Sequence, residues 1–154
     1  MTTATTPRMT RTLAAEYRGR LMAVAHETRI PPGIRLFHEG GRADQFWIIR
    51  SGAVTLDLRV PGGRPTVVET LGPGELLGRS WLFAPYRWRF GAETAGPVRA
   101  HEFDAGAVRR MCADDPGMGR AIARWVGDLT VHRLRAVRTG LLALHGAEGG
   151  GCGG

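Results

Sequence analysis

Residues 71–89 hold the densest set of groups suited to binding something. Gly72, Pro73, Gly74 and Gly78 form a glycine-rich run, Arg79 and Ser80 follow it directly, and Arg87 and Arg89 stand a few positions on. Pro73 followed by Gly74 suits the two central positions of a type II turn, where proline pre-sets φ and glycine takes φ > 0. The apolar run over residues 76–83 is long enough for one short helix, although Gly78 weakens it. A glycine-rich entry into a helix aims backbone N–H groups outward, and a guanidinium can close on an anion with paired hydrogen bonds. The chemistry on offer is therefore capture of an anion such as a phosphate. Gly74, Glu75, Leu76, Leu77, Gly78, Arg79 and Ser80 would supply the turn, with Arg87, Trp88 and Arg89 behind it. The plainer reading is a connector between strands, which is what most glycine-rich turns are. Trp81, Tyr86 and Trp88 either stack on a ligand ring or an arginine, or fill the gap beneath the turn.

Catalytic and metal chemistry find less support. His26, His38, His101, His132 and His145 are scattered without metal-ligand spacing, and Cys112 and Cys152 make neither a zinc motif nor a disulfide framework. Ser51 and Ser80 lie outside any nucleophile-elbow pattern, and Cys112 has no base identifiable in the sequence. A non-enzymatic protein is expected, with no catalytic residue and no metal.

At 154 residues one domain is expected, and 23 glycines with 7% aromatic residues favour turn-rich β structure over a helical bundle. The 21 basic residues are all arginine and the formal charge is +7. Residues 1–30 carry five Arg against two acids, residues 31–104 nine against eight, and residues 105–154 seven against four. The central part is thus near neutral between two basic flanks, which read as solvated faces or as surfaces for acidic partners. No apolar run is long enough to span a bilayer and no leader pattern is present, so a cytoplasmic protein is expected.

The elements that must position the turn follow from hydrophobic spacing. Residues 1–11 are polar and Thr-rich and are expected to be disordered; residues 12–27 carry Leu13, Tyr17, Leu21, Val24 and Ala25 at helical spacing. Pro31-Pro32-Gly33 stops that helix, and Ile34, Leu36 and Phe37 open a strand. Phe46-Trp47-Ile48-Ile49 is a buried-type strand that Ser51-Gly52 would turn into a hairpin. Val54, Leu56, Leu58 and Val60 alternate with Thr55, Asp57 and Arg59, as on a half-buried strand, and residues 66–71 pair back. Residues 88–94 and 98–103 read as two more strands. Asp104 and Asp115 are N-caps for helices over residues 105–113 and 116–144; Ile122, Trp125, Val126 and Leu129 line a stripe that Leu134, Val137, Leu141 and Leu144 extend. Residues 146–154 are a flexible glycine tail, leaving 12–145 as the folded domain. A helix, about six or seven short strands and two helices suggest a double-sheet roll or barrel with flanking helices.

Three blocks in this order carry a resemblance: Pro32-Gly33-Ile34-Arg35-Leu36-Phe37-His38-Glu39-Gly40, Ala43-Asp44-Gln45-Phe46-Trp47-Ile48-Ile49-Arg50-Ser51-Gly52-Ala53-Val54, and Leu71-Gly72-Pro73-Gly74-Glu75-Leu76-Leu77-Gly78. From about residue 13 to 144 the chain resembles the cyclic nucleotide-binding domain family. The resemblance implies a mainly β fold with flanking helices (α+β), a double-stranded β-helix or jelly-roll-like β-roll with an N-terminal helix and C-terminal helices. It also implies a phosphate-binding cassette at residues 74–89 and a last helix that covers the ligand or pairs with a second subunit. In that family the cassette N–H groups and one arginine hold the cyclic phosphate, and a glutamate directly after the second cassette glycine accepts from the ribose 2′-hydroxyl. Here Arg79 follows Gly78, with five donors and no acceptor. Leaving the hydroxyl unmatched costs roughly 1–3 kcal/mol, about ten- to a hundredfold in affinity. Starting from Gly74 instead makes Glu75 the acceptor but sets Arg87 several residues too far along. In the first register Trp88 occupies the position of the family's phosphate arginine, with Arg87 beside it and Arg79 and Arg89 as alternatives.

The resemblance implies a regulatory or sensor module that binds cyclic AMP, cyclic GMP or a related anionic ligand and needs no cofactor. The competing expectation is a domain without a ligand, kept as a protein-interaction or dimerisation module through its last helix. An unidentified protein partner would carry any signal, since no helix-turn-helix follows within these 154 residues. Nucleic acid and membrane are not expected as partners.

Overall fold

The computed structural model describes residues 13–129. The expected disordered start, the glycine tail and the Leu134, Val137, Leu141 and Leu144 seam lie outside the described residues. Helix α1 (Ala15–Met22) is followed by β1 (His26–Ile30), β2 (Arg35–Phe37), β3 (Gln45–Ser51), β4 (Val54–Arg59), β5 (Pro65–Leu71), β6 (Leu76–Leu77), β7 (Gly91–Thr94), β8 (Val98–Asp104) and α2 (Ala105–Asp114). A helix α3 then runs over residues 116–129. Two antiparallel four-stranded sheets, in the orders β1-β8-β3-β6 and β2-β7-β4-β5, form the expected β-roll.

The continuous apolar run of β3 reflects cover on both faces. Trp47 looks across the roll to Phe37 on the other sheet, with ring centroids 5.9 Å apart. Phe46, one residue earlier, points the other way and stacks on its cross-strand partner Phe103 and on Trp81. Outside the roll, Met118, Ile122, Trp125, Val126 and Leu129 of α3 are buried in the core together with Leu13 and Leu21. Both expected N-caps are present. Asp104 accepts from the Gly106 N–H at 3.0 Å, and Asp115 Oδ1 accepts from Gly117 N at 3.0 Å and Met118 N at 3.2 Å. The other carboxylate oxygen of Asp115 takes Arg20 Nη1 at 2.6 Å, which ties α1 to the joint between α2 and α3.

Four expectations are corrected. The helix expected over residues 12–27 ends at Met22, and His26–Ile30 is a strand paired along its length with β8. The β8 edge offers that segment a full ladder, which outweighs a helical pattern carried by Val24 and Ala25. Ser51-Gly52 is not a hairpin turn, since β3 and β4 belong to different sheets. The chain crosses there with Gly52 at φ +92°, where any Cβ would collide with the Pro97 carbonyl. Residues 76–83 form no helix: β6 pairs Leu76 with Ile48 and Leu77 with Trp47, and turns follow. The strand expected from residue 88 starts at Gly91.

On β4, Asp57 sits opposite Gly91 and next in register to Glu93, on the face expected to be wet, yet it is buried. Arg35 covers it with two hydrogen-bonding contacts, Nη1 to Oδ1 at 3.0 Å and Nη2 to Oδ2 at 2.9 Å, and Nη2 also reaches Glu93 at 3.0 Å. A Cβ at residue 91 would collide with both Arg35 and Asp57, so glycine leaves the space in which β2, β7 and β4 are cross-linked. Removing one partner of a buried pair strands the other charge. Asp57→Ala is therefore expected to cost about 2–3 kcal/mol in urea denaturation, allowing for partial solvent access to the guanidinium.

The Arg20 guanidinium and two backbone N–H groups hold the Asp115 carboxyl below its usual value of 3.8. A carboxyl depressed in the folded state contributes stability that is present above the unfolded value and lost as pH falls through the folded one. The stability difference between wild type and Asp115→Asn is thus expected to persist at neutral pH and to close only below pH 3.8, as read from thermal unfolding across a pH series.

Candidate functional site

The glycine-rich turn forms as its residue types demand. Gly74 takes φ +86°, and the Glu75 N–H donates to the Gly72 carbonyl at 3.2 Å, closing a type II turn. The Glu75 carboxylate folds back onto the Gly72 N–H at 2.9 Å, while Gly74 N donates to Ile49 O at 2.7 Å. The donors of Gly74 and Glu75 are thus committed inside the turn rather than turned to solvent, and Leu76 and Leu77 are buried in β6.

At Gly78 the chain breaks away at φ +100°, and this is where the site begins. A Cβ on Gly78 would lie 2.9 Å from the six-membered ring of Trp88. That ring is buried, stacks on Phe37 with centroids 3.8 Å apart and planes 12° from parallel, and lies 6.5 Å from the Trp47 ring. The Trp88 backbone is pinned as well: its N–H donates to Gly41 O and its carbonyl accepts from Gly40 N, each at 2.8 Å. Trp88 therefore fills the space beneath the turn, as one of the two sequence readings had it. Trp81 does the same on the outer side, fully buried, with Nε1 donating to Gly78 O at 3.1 Å.

Above this aromatic floor lies a cleft of about 930 Å³. Such a volume is within the range of small-molecule sites. Of the residues singled out in the sequence, Gly78, Arg79, Ser80, Arg87, Trp88 and Arg89 line it, whereas Gly74, Glu75, Leu76 and Leu77 stand behind as its support. Ser80 has no hydrogen-bond partner for its N–H or its hydroxyl among the described residues, and Arg89 has no partner for its guanidinium. Arg87 Nη1 donates to the Gly40 carbonyl at 3.3 Å, so part of its fork is already used. Phe37, Leu56, Phe83 and Phe90 add apolar walls. Glu39 is the one carboxylate on the lining. In sequence it reads only as the end of a strand, and nothing but the fold brings it onto the same cleft as the arginines.

The far wall is tethered to the helices. Arg109 on α2 donates from Nη1 to Trp81 O at 2.5 Å, and its guanidinium lies 4.4 Å from the centre of the Tyr86 ring. Tyr86 itself holds φ +57°, while its carbonyl accepts from Ala43 N at 2.8 Å. On the same helix, burial pushes the Cys112 thiol up, with the charge of Asp115 adding to it, which is the direction opposite to that of an activated nucleophile. No group of three or more His, Cys, Asp or Glu residues able to hold a metal occurs among the described residues. No described helix is long and apolar enough to cross a membrane.

Comparison with known proteins gives a consistent picture. Residues 27–115 match the cyclic nucleotide-binding domain family. The chain is 32% identical over 114 residues to the CRP-like cAMP-activated global transcriptional regulator of Mycobacterium tuberculosis (strain CDC 1551 / Oshkosh), covering 74% of this chain and 49% of that one. It thus spans about half the length of the curated relatives it matches. Among solved structures it is similar in fold to a cyclic nucleotide-binding domain from Methylobacillus flagellatus KT, with a TM-score of 0.75 at 18% identity, covering 84% of this chain and 73% of that one. It is also similar to the N-terminal domain of a transcriptional regulator from Streptomyces coelicolor A3(2), with a TM-score of 0.63 at 27% identity, covering 84% and 87% respectively.

The contact between Gly78 and Trp88 admits no side chain at residue 78, and its φ is one that other residues rarely adopt. Gly78→Ala is expected to lower stability by about 1–3 kcal/mol and to change the near-ultraviolet circular dichroism of the tryptophans, as thermal and spectroscopic unfolding would read.

Proposed function

Because the chain belongs to the cyclic nucleotide-binding domain family, whose members are typically non-catalytic, we propose that it is a non-enzymatic regulatory domain that takes a cyclic nucleotide or a related anionic ligand in this cleft. The observation that carries the reading is the pair of unused donors on the lining, Ser80 and Arg89, with Arg79 and Arg87 on the same cleft. An anion set there meets a backbone N–H and hydroxyl from Ser80 and a guanidinium fork from Arg89. Arg87 has less to offer, since it already serves the Gly40 carbonyl. The Mycobacterium tuberculosis relative is a cAMP-activated regulator, which supports cyclic AMP as the first candidate, with cyclic GMP as the next to try.

A second reading rests on the Trp88–Phe37 stack. In this view the filled floor marks a domain without a ligand that serves as an interaction or dimerisation module, with the C-terminal helix as the pairing surface. Cytoplasmic residence and an unidentified protein partner belong to either reading.

Calorimetry with cyclic AMP, cyclic GMP and a cyclic dinucleotide separates the two. Binding by at least one is expected, and Arg89→Ala should weaken it about ten- to a hundredfold, the loss that goes with one charge-assisted phosphate contact. Arg87→Ala should weaken it less. Heat from none of the three would favour the interaction module, and light scattering would then show whether the chain pairs.

A further inference from the structure

The cleft is not a uniformly positive socket. Glu39 stands at its mouth, exposed, on the chain just past β2, and the Arg59 N–H at the end of β4 donates to its Oε1 at 3.2 Å. That bond fixes where the carboxylate stands, and the second oxygen has no partner among the described residues. The pairing of residues 40–43 with 86–88 continues the register of Phe37 with Ala92, which sets residue 39 opposite Phe90, one position along the chain from Arg89. Yet no ion pair within 4 Å joins Glu39 to Arg79, Arg87 or Arg89 among the described residues. The lining thus carries both signs of charge, and the second carboxylate oxygen of Glu39 is left for a ligand or for water.

A carboxylate there works against a bare anion by repulsion. It works in favour of an anion that also carries a hydroxyl or amine, because the free oxygen can accept that donor. If a ligand without a donor covered the mouth, that oxygen would lose water and gain nothing. The cassette has no acceptor of its own after Gly78, since Arg79 can only donate.

Resting on the anion-binding reading above, the geometry points to Glu39 as a specificity-determining residue: it accepts a hydrogen bond from a hydroxyl or amine of the ligand, and so selects anions bearing such a donor over plain ones. The ligand class is an organic phosphate with a sugar hydroxyl or an exocyclic amine, not an inorganic oxyanion. This acceptor comes from the loop after β2 and not from the turn that carries Arg79.

The test is titration calorimetry of the full chain as wild type, Glu39→Gln and Glu39→Ala, each with cyclic AMP and with inorganic phosphate. Residue 39 is exposed, so both variants should keep the fold. Cyclic AMP binding is expected to weaken about tenfold in Glu39→Ala and by less in Glu39→Gln, which keeps a neutral acceptor, while phosphate binds more tightly in both. Opposite signs for the two probes are the signature. If Glu39→Ala binds cyclic AMP as well as or better than wild type, the inference is overturned while the anion-binding reading stands. Weakening of both probes would make Glu39 a mere prop of the loop and overturn the inference too. If wild type binds neither probe, both readings fall together.

Discussion

Trp88 lies flat on Phe37 from below and carries the backbone of Gly78 on its edge, so one indole ring spaces both sheets and the turn between them. The contact works only because residue 78 has no Cβ and accepts a φ of +100°. Lifting the backbone away from the ring would move Arg79 and Ser80, which follow immediately. The cleft therefore inherits its shape from an apolar contact beneath it, and the charged residues on its rim stand where that contact leaves them. Aromatic stacking at this distance contributes area burial plus a geometric preference for parallel offset rings.

Two polar devices keep this arrangement from drifting. Arg35 binds Asp57 and Glu93 at once, so β2, which brings Phe37 to the ring, cannot shift against β4 and β7. On the other side Arg109 grips the Trp81 carbonyl and faces the Tyr86 ring, which links the loop over residues 81–86 to α2. The next joint is Asp115, which caps α3 and holds Arg20 of α1. A displacement of the loop is thus passed to α2 through Arg109 as well as to β3 through the Trp81–Phe46 stack. Apart from the local Asp115 cap, each of these contacts is a side chain reaching across more than twenty residues of sequence.

The roll, its type II turn and both helix caps were readable from the sequence, because glycine, proline and aspartate act locally and leave the same mark wherever the chain goes. Local signals failed where pairing at a distance decided the outcome. Nothing in His26-Glu27-Thr28-Arg29-Ile30 announces a strand until β8 is there to pair with it. Leu76 and Leu77 carry a helix-compatible run but find an open edge at Trp47 and Ile48. Ser51-Gly52 has the composition of a hairpin, and only the sheet order shows that it is a crossing. At the site, the arginines were visible as types, but which of them keep free donors depends on tertiary neighbours such as the Gly40 carbonyl. Glu39 was invisible as a site residue for the same reason.

The sheet margins bear on how such a molecule behaves in a crowded solution. Two four-stranded sheets present β1, β6, β2 and β5 as their outermost strands. β6 has two residues and β2 three, too short to template another strand, and β5 opens with Pro65, which has no N–H to offer. β1, the longest margin after β5, sets Glu27 and Arg29 outward, with Arg29 directly across from Arg99. Charge and brevity at these margins thus discourage ribbon-like polymerisation from one copy to the next.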